Sequence, residues 1–284
     1  GGQKDLRHKR IKALHEASFI DDPTRIFRAV RFEQRFNFKI EAHTERLIKE
    51  ALKRKMLYRT EKQRLRDELI LILREEEPEK MLRRMENLGG LKFIHRRLHF
   101  TRQTERFFDS IRKTASWFKP AYFQKLAVDI WLIYLIALLD GLTSGDVKNI
   151  CGNFVFKNSE RIRLLSYKNC VSRILRFLNN PGRIKPSRIY KNLEPLRREV
   201  ILAIMAKSPS RAVKKRIAVF LTRYNGTKLR IGGEDLERLG LKAGPEFGKI
   251  LTAALYAKLD NAFTCKRQEL DFVQKFIKNG KLKE

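Results

Sequence analysis

Residues 18–36 read SFIDDPTRIFRAVRFEQRF, and this stretch decides how the rest of the chain is understood. Asp22 is a natural N-cap, with Pro23 at the first helical position, where a missing N–H costs nothing. Ile26, Ala29, Val30 and Phe36 then recur at three- and four-residue steps, the spacing of one buried helical face. Arg25, Arg28 and Arg31 follow Asp22 at three-residue steps, each displaced by roughly 60° around the axis. The spacing predicts a helix with two acids, Asp21 and Asp22, at its tip and a slanting ridge of three arginines behind them. The same pattern also suits a capped, solvated helix with local ion pairs.

Working outward, helical periodicity recurs at residues 44–57, 63–73, 79–88, 104–118, 123–139, 160–177, 186–193, 195–207 and 212–224. A last long helix is expected from Pro245 to about Asn279, set off by glycine and proline breakers at 89–90, 141–145, 179–181, 208–209 and 232–233. Strand-like alternation competes only near residues 10–14. The class is all-α, a multi-helix array. Composition shifts near 57–60 and 141–152 suggest three segments: 1–58, 59–150 and 151–284.

Lys and Arg number 63 against 32 Asp and Glu, so the formal charge is 63 − 32 = +31 across 284 residues. A hydrophobic share of 43% supplies a core and excludes disorder by composition. So large a surplus implies a polyanionic partner, nucleic acid or an acidic membrane face. Residues 126–142 are apolar but contain Asp129 and are too short for the roughly 20 residues of a membrane span. They read as a buried core helix, with Trp131 and Tyr134 inside it. Cys151, Cys170 and Cys265 are isolated, giving neither a disulfide framework nor zinc spacing, and a reducing, cytoplasmic compartment is expected. His95 and His99, one helical turn apart, have no third ligand nearby, and Arg96-Arg97 between them would repel a cation. They read as helix-end or RNA-facing residues.

The acid–arginine pair has a specific chemical use. On the Watson–Crick edge, cytosine and adenine present an amino donor beside a ring-nitrogen acceptor. A carboxylate such as Asp22 takes the amino hydrogen and a guanidinium such as Arg25 donates to the ring nitrogen. Uracil and guanine would meet acceptor with acceptor and donor with donor, at about 1–3 kcal/mol per mispaired buried group. Asp21 would hold the Arg25 fork in plane, and Arg28 and Arg31 would lie where nucleotide phosphates go.

The stretch resembles the Glu/Asp-Asp-x-x-Arg motif of the class II (bacterial-type) tRNA nucleotidyltransferase and poly(A) polymerase family, where it is an amino-acid template for CTP and ATP. The opening GGQKDL with Lys9-Arg10-Ile11 is similar to the end of that family's catalytic head. Residues 63–69, QRLRDEL, resemble a helical motif that buttresses the template, which implies supporting roles for Arg64 and Glu68. Residues 231–245 and the helix after them, with Leu255, Leu259-Asp260 and Glu269-Leu270, resemble the family's C-terminal signature. Two departures stand out: Asp21 where Glu is usual, and Gln63 where the buttress usually opens with Glu.

The resemblance implies a neck, body and tail array that takes part in adding C and/or A to the 3′ end of tRNA. The substrates would be ATP and CTP, and Mg2+ would be bound by a catalytic head supplied in cis or in trans. No Asp-x-Asp pair of the kind that holds two magnesium ions occurs in the sequence, so these residues alone are expected not to catalyse. A tight turn at 239–245 delivers a helix N-terminus at Pro245, which with Lys242 and Lys249 would suit an RNA phosphate; an ordinary helix–helix turn is the alternative. Basic clusters at 53–55, 83–84, 96–97, 197–198 and 214–216 would follow tRNA phosphates. A poly(A) polymerase portion, a non-catalytic basic RNA-binding protein and a membrane-surface binder are the other readings.

Overall fold

The computed structural model describes residues 2–122 and 128–278. The class is the expected one: helices dominate, and the strands are two residues long. The expected helix at 123–139 opens on residues outside the described ones, as do Leu126 and Ala127 of the long apolar stretch and Asn279 at the expected end of the last helix.

The chain forms two compact units. The first comprises Gly1–Val171 and Arg198–Lys207, so the composition shifts near 57–60 and 141–152 both fall inside it. It opens with α1 (Gly2–Arg7), β1 (Arg10–Ile11), α2 (Ser18–Asp21), α3 (Arg25–Arg35) and β2 (Lys39–Ile40). The two strands pair in parallel, Arg10 opposite Lys39. Then come α4 (Ala42–Lys53), α5 (Met56–Arg59), α6 (Lys62–Leu73), α7 (Pro78–Asn87), α8 (Arg102–Tyr122), α9 (Ile130–Leu138), α10 (Ser144–Asn153) and α11 (Asn158–Leu178), whose last residues belong to the second unit. The second unit continues through α12 (Pro186–Leu193). After α13 (Arg198–Lys207) returns to the first unit, it resumes with α14 (Arg211–Val219), a π-helical turn at Phe220–Tyr224, α15 (Gly233–Arg238), α16 (Pro245–Leu259) and α17 (Lys266–Lys278).

The core of the first unit gathers on α9, where every residue from Trp131 to Leu138 is buried against α8 and α13. Trp131 and Tyr134 are core residues, as the apolar run predicts, and Tyr134 stacks 4.7 Å from Phe108. Helix α3 lies on α6 and α7. It buries Ile26, Phe27, Ala29 and Val30, and Phe27 meets Phe93 edge-on at 5.5 Å. Glu33, also on that face, accepts from Arg84 Nε at 2.8 Å and from the Ile40 N–H at 3.1 Å. A buried carboxylate needs such partners, and they fix α3 against α7 and β2.

Two expectations about helix ends change. The breaker at 141–145 hides a helix start: Thr143 and Asp146 exchange reciprocal capping hydrogen bonds that open α10. The last long helix is two helices. Asn261 takes a positive φ of 63°, and the Asp260 carboxylate is turned away to accept from the Ser187 N–H at 2.9 Å and hydroxyl at 2.7 Å. The chain then restarts at α17.

In the second unit, Ile231, Leu236, Ile250, Ala254, Phe263 and Val273 form one apolar cluster. Fully buried Glu269 accepts from the Arg230 and Ile231 N–H groups at 2.7 and 3.2 Å and from Lys258 Nζ at 2.6 Å. The signature residues Ile231 and Glu269 are therefore partners in folding: the carboxylate pins the segment before α15 to α17.

Candidate nucleotide-reading site

The structure gathers Asp22, Arg25, Arg31, Arg64 and Glu68 where α3 lies on α6. Asp22 sits between α2 and α3, and its side chain is 21% exposed. Its Oδ1 accepts from the Thr24 N–H at 3.1 Å and the Thr24 hydroxyl at 2.6 Å, which ties it to the turn before α3; the helix itself opens at Arg25, with Thr24 in the N-cap place expected of Asp22. Arg64, one turn into α6, donates to the same oxygen at 3.2 Å. Burial alone would raise the Asp22 carboxyl. The Thr24 hydrogen bonds and the charges of Arg64 and Arg25 outweigh it and hold the group below its ordinary range. Asp22 is a fixed carboxylate at neutral pH.

The opposite oxygen is in another state. Oδ2 lies 3.9 Å from Arg25 Nε, close enough for charge attraction and too far for a hydrogen bond. Arg25, 41% exposed, donates through Nη1 to the Ser18 carbonyl at 3.3 Å. One edge of each group is therefore pinned, and the other edges carry an acceptor and donors with no hydrogen-bond partner among the described residues. An acceptor and donors thus stand side by side at the opening of α3.

Asp21 stands apart from this arrangement. It is exposed, 3.9 Å from His15 Nδ1, and makes no ion pair with Arg25. The Ser18 carbonyl and Asp22 hold Arg25, the role expected of Asp21. A backbone carbonyl has no sequence signature, so Ser18 was invisible there.

The arginine ridge is not uniform. Arg28 is exposed and unpaired among the described residues. Arg31 is turned inward, 14% exposed, and lies 3.8 Å from Glu68 and 3.7 Å from Glu75. Its charge is already met by two acids, so Arg31 ties α3 to α6 while Arg28 stays at the surface.

Glu68 is the centre of that tie. Burial pushes its carboxyl above the ordinary value, against the opposing pull of Arg31 and Arg28. Its Oε2 and the Arg31 Nε are both buried without a hydrogen bond. A raised folded-state pKa means that between the unfolded value near 4.5 and the folded value the native state binds more protons. Stability from this group is present at the acid side and is lost as pH rises through that window. Urea midpoints measured from pH 4 to 7 are expected to move in favour of Glu68→Gln relative to the parent as pH rises; a constant gap would refute the burial argument.

In the second unit, Gly240, with φ +85°, makes the turn between α15 and α16. Lys242 and Lys249 are both exposed and hold no ion pair among the described residues, as an RNA contact requires. Glu246 also lies in the first turn of α16 and offsets part of the positive field there. His95 and His99 are not on a helix. Each is taken by a carboxylate, His95 by Asp146 at 3.4 Å and His99 by Glu86 at 2.8 Å. Among the described residues no group of three His, Cys, Asp or Glu side chains converges to hold a metal, and no helix is long and apolar enough to cross a membrane.

Residues 37–100 match a family described as the probable RNA and SrmB-binding site of polymerase A. An A-adding tRNA nucleotidyltransferase of Geobacter sulfurreducens is 36% identical over 95% of this chain. Over nearly its whole length the chain is similar to tRNA nucleotidyltransferases. Another A-adding tRNA nucleotidyltransferase, from Aquifex aeolicus, is 29% identical over 88% of the chain. The chain spans about a third of the length of these two curated relatives, 31% and 30%. A Thermotoga maritima CCA-adding enzyme, solved in complex with tRNA, superposes with a TM-score of 0.81 at 30% identity. That match covers 98% of this chain and 66% of the other. A CCA-adding enzyme solved with CTP gives the same TM-score, 0.81.

Proposed function

We propose that this chain is the base-selecting and tRNA-holding portion of a tRNA nucleotidyltransferase that adds C and/or A to tRNA 3′ ends in the cytoplasm. The observation that carries the reading is the open edge of the Asp22–Arg25 pair: Oδ2 as acceptor beside guanidinium donors, with the opposite edges pinned by Thr24, Arg64 and the Ser18 carbonyl. Cytosine or adenine completes both sets of hydrogen bonds, whereas uracil or guanine leaves each group facing its own kind. Arg28 is the cation placed to meet the nucleotide's phosphates. Similarity to A-adding enzymes over nearly the whole chain supports the substrate class, and a structural neighbour was solved with CTP.

Transfer of the nucleotide needs metal-bound carboxylates. The family's Mg2+ does not fit the described side chains of this chain, so no step through the metal is assigned to them. Their part is recognition. Titration calorimetry of the chain with the four nucleoside triphosphates tests this. CTP and ATP are expected to bind roughly ten- to a hundredfold more tightly than UTP and GTP; equal affinities for all four would overturn the reading.

A further inference from the structure

Three phenylalanines lie in contact at the far end of α3 from the base-reading pair, and two of them are open to solvent. Phe32 is 36% and Phe36 52% exposed. Their ring centroids are 5.8 Å apart, and Phe38 lies a further 5.8 Å from Phe36. The third ring is brought back by the backbone: Asn37 takes a positive φ of 52° and the Phe38 N–H returns to the Glu33 carbonyl at 2.9 Å. Packing on α6 and α7 buries the opposite face of α3, so this side keeps its apolar rings in water at a cost that burial would recover. Guanidinium groups interleave the rings. Arg31 lies 5.4 Å from the Phe32 centroid and Arg35 5.6 Å from that of Phe36. Arg28, exposed, stands one turn before Phe32, and Arg35, near Glu75 at 3.5 Å, is still 56% exposed.

We propose that this Arg–Phe stripe is a stacking platform for the unpaired 3′ end of an RNA strand, an inference that rests on the base-reading role of Asp22 and Arg25 on the same helix. Aromatic rings give faces on which bases stack whatever their sequence, and the exposed Arg28 and Arg35 beside them meet the phosphates. A protein partner could cover the rings, but it would have to carry acidic groups to match the guanidiniums, and the +31 charge of the chain points to a polyanion. The reach is suitable. At 1.5 Å per residue, Phe32 and Phe36 lie about 10 and 16 Å along α3 from Arg25. A strand stacked at about 3.4 Å per nucleotide covers that in roughly three to five nucleotides.

The test uses the whole chain and a single-stranded RNA with 2-aminopurine at the third to fifth position from its 3′ end. Binding is expected to quench the probe. Phe36→Leu, which keeps apolar bulk and removes the ring face, is expected to weaken binding about tenfold and abolish quenching, while Phe36→Trp keeps both. Arg25→Ala, read in parallel, separates the two ideas: it removes preference among triphosphates and leaves quenching intact. Quenching and affinity unchanged in Phe36→Leu, with circular dichroism showing the variant folded, would overturn the platform even if Arg25→Ala behaves as expected. Loss of both in Phe36→Leu and in Phe36→Trp alike would overturn it too, because a ring face would then not be what the RNA needs.

Discussion

Arg25→Ala is expected to cripple the use of ATP and CTP and to leave tRNA binding intact. The measurement is incorporation kinetics in an enzyme completed with the part of the Geobacter sulfurreducens relative that this chain does not match. The guanidinium supplies donors to the ring nitrogen, and it is positioned by the Ser18 carbonyl and by the attraction of Asp22. The charge-assisted hydrogen bond that it would give the base is worth about 1.5–3 kcal/mol, which corresponds to a fall of roughly 10- to 10²-fold in kcat/KM for both nucleotides. Asp22 and Arg64 remain paired in the variant, so α3 keeps its seat on α6 and the RNA-facing surfaces are undisturbed. Normal incorporation by Arg25→Ala would remove the base-reading role. An equal loss of tRNA affinity would make the residue a structural one.

The second large effect is the dependence of tRNA affinity on salt. A chain of charge +31 that neutralises 6–10 phosphates is expected to lose about 10³- to 10⁵-fold in affinity between 50 and 200 mM salt. The fold narrows which cations contribute. Arg84 is committed to Glu33 and Glu45, and Arg83 to Glu105. Arg216 donates to the Leu178, Asn180 and Gly182 carbonyls, so its charge caps the end of α11. Lys53, Lys55, Arg96, Arg197 and Lys215 are exposed, as are Lys242 and Lys249. Fluorescence anisotropy with labelled tRNA across that salt range gives the slope. Lys242→Ala and Lys249→Ala are each expected to reduce it by about 0.9, and Arg216→Ala to leave it unchanged. A flat profile would exclude phosphate tracking.

Much of this was legible in the chain itself. The apolar steps through Ile26, Ala29 and Val30 set the buried face of α3, and the same periodicity set the other long helices. The start of α3 was expected at Pro23 with Asp22 as its cap, and it lies at Arg25 with Thr24 at the N-cap. A supporting role for Arg64 followed from a motif resemblance, and the structure alone shows its partner: a hydrogen bond of 3.2 Å to Asp22 across 42 residues. The break after Leu259 was not legible, because the residue that takes the left-handed turn is Asn261 and not a glycine. Nor was the start of α10, where a threonine and an aspartate three residues apart outweighed the glycines around them.

The sequence alone established an all-helical, strongly basic chain with a carboxylate and a guanidinium one turn apart at the opening of a helix. Periodicity does that much because it reports the relation of each residue to its own helix axis. The tertiary structure decided which arginines remain free. Arg28 and Arg31 are equivalent in spacing, yet Arg31 is drawn between Glu68 and Glu75 on a neighbouring segment while Arg28 faces water. It also decided that Ser18, and not Asp21, steadies Arg25. The physical reason is the same in both cases: a charge is claimed by whichever partner packing brings within a few ångströms, and packing joins residues that the linear order keeps far apart.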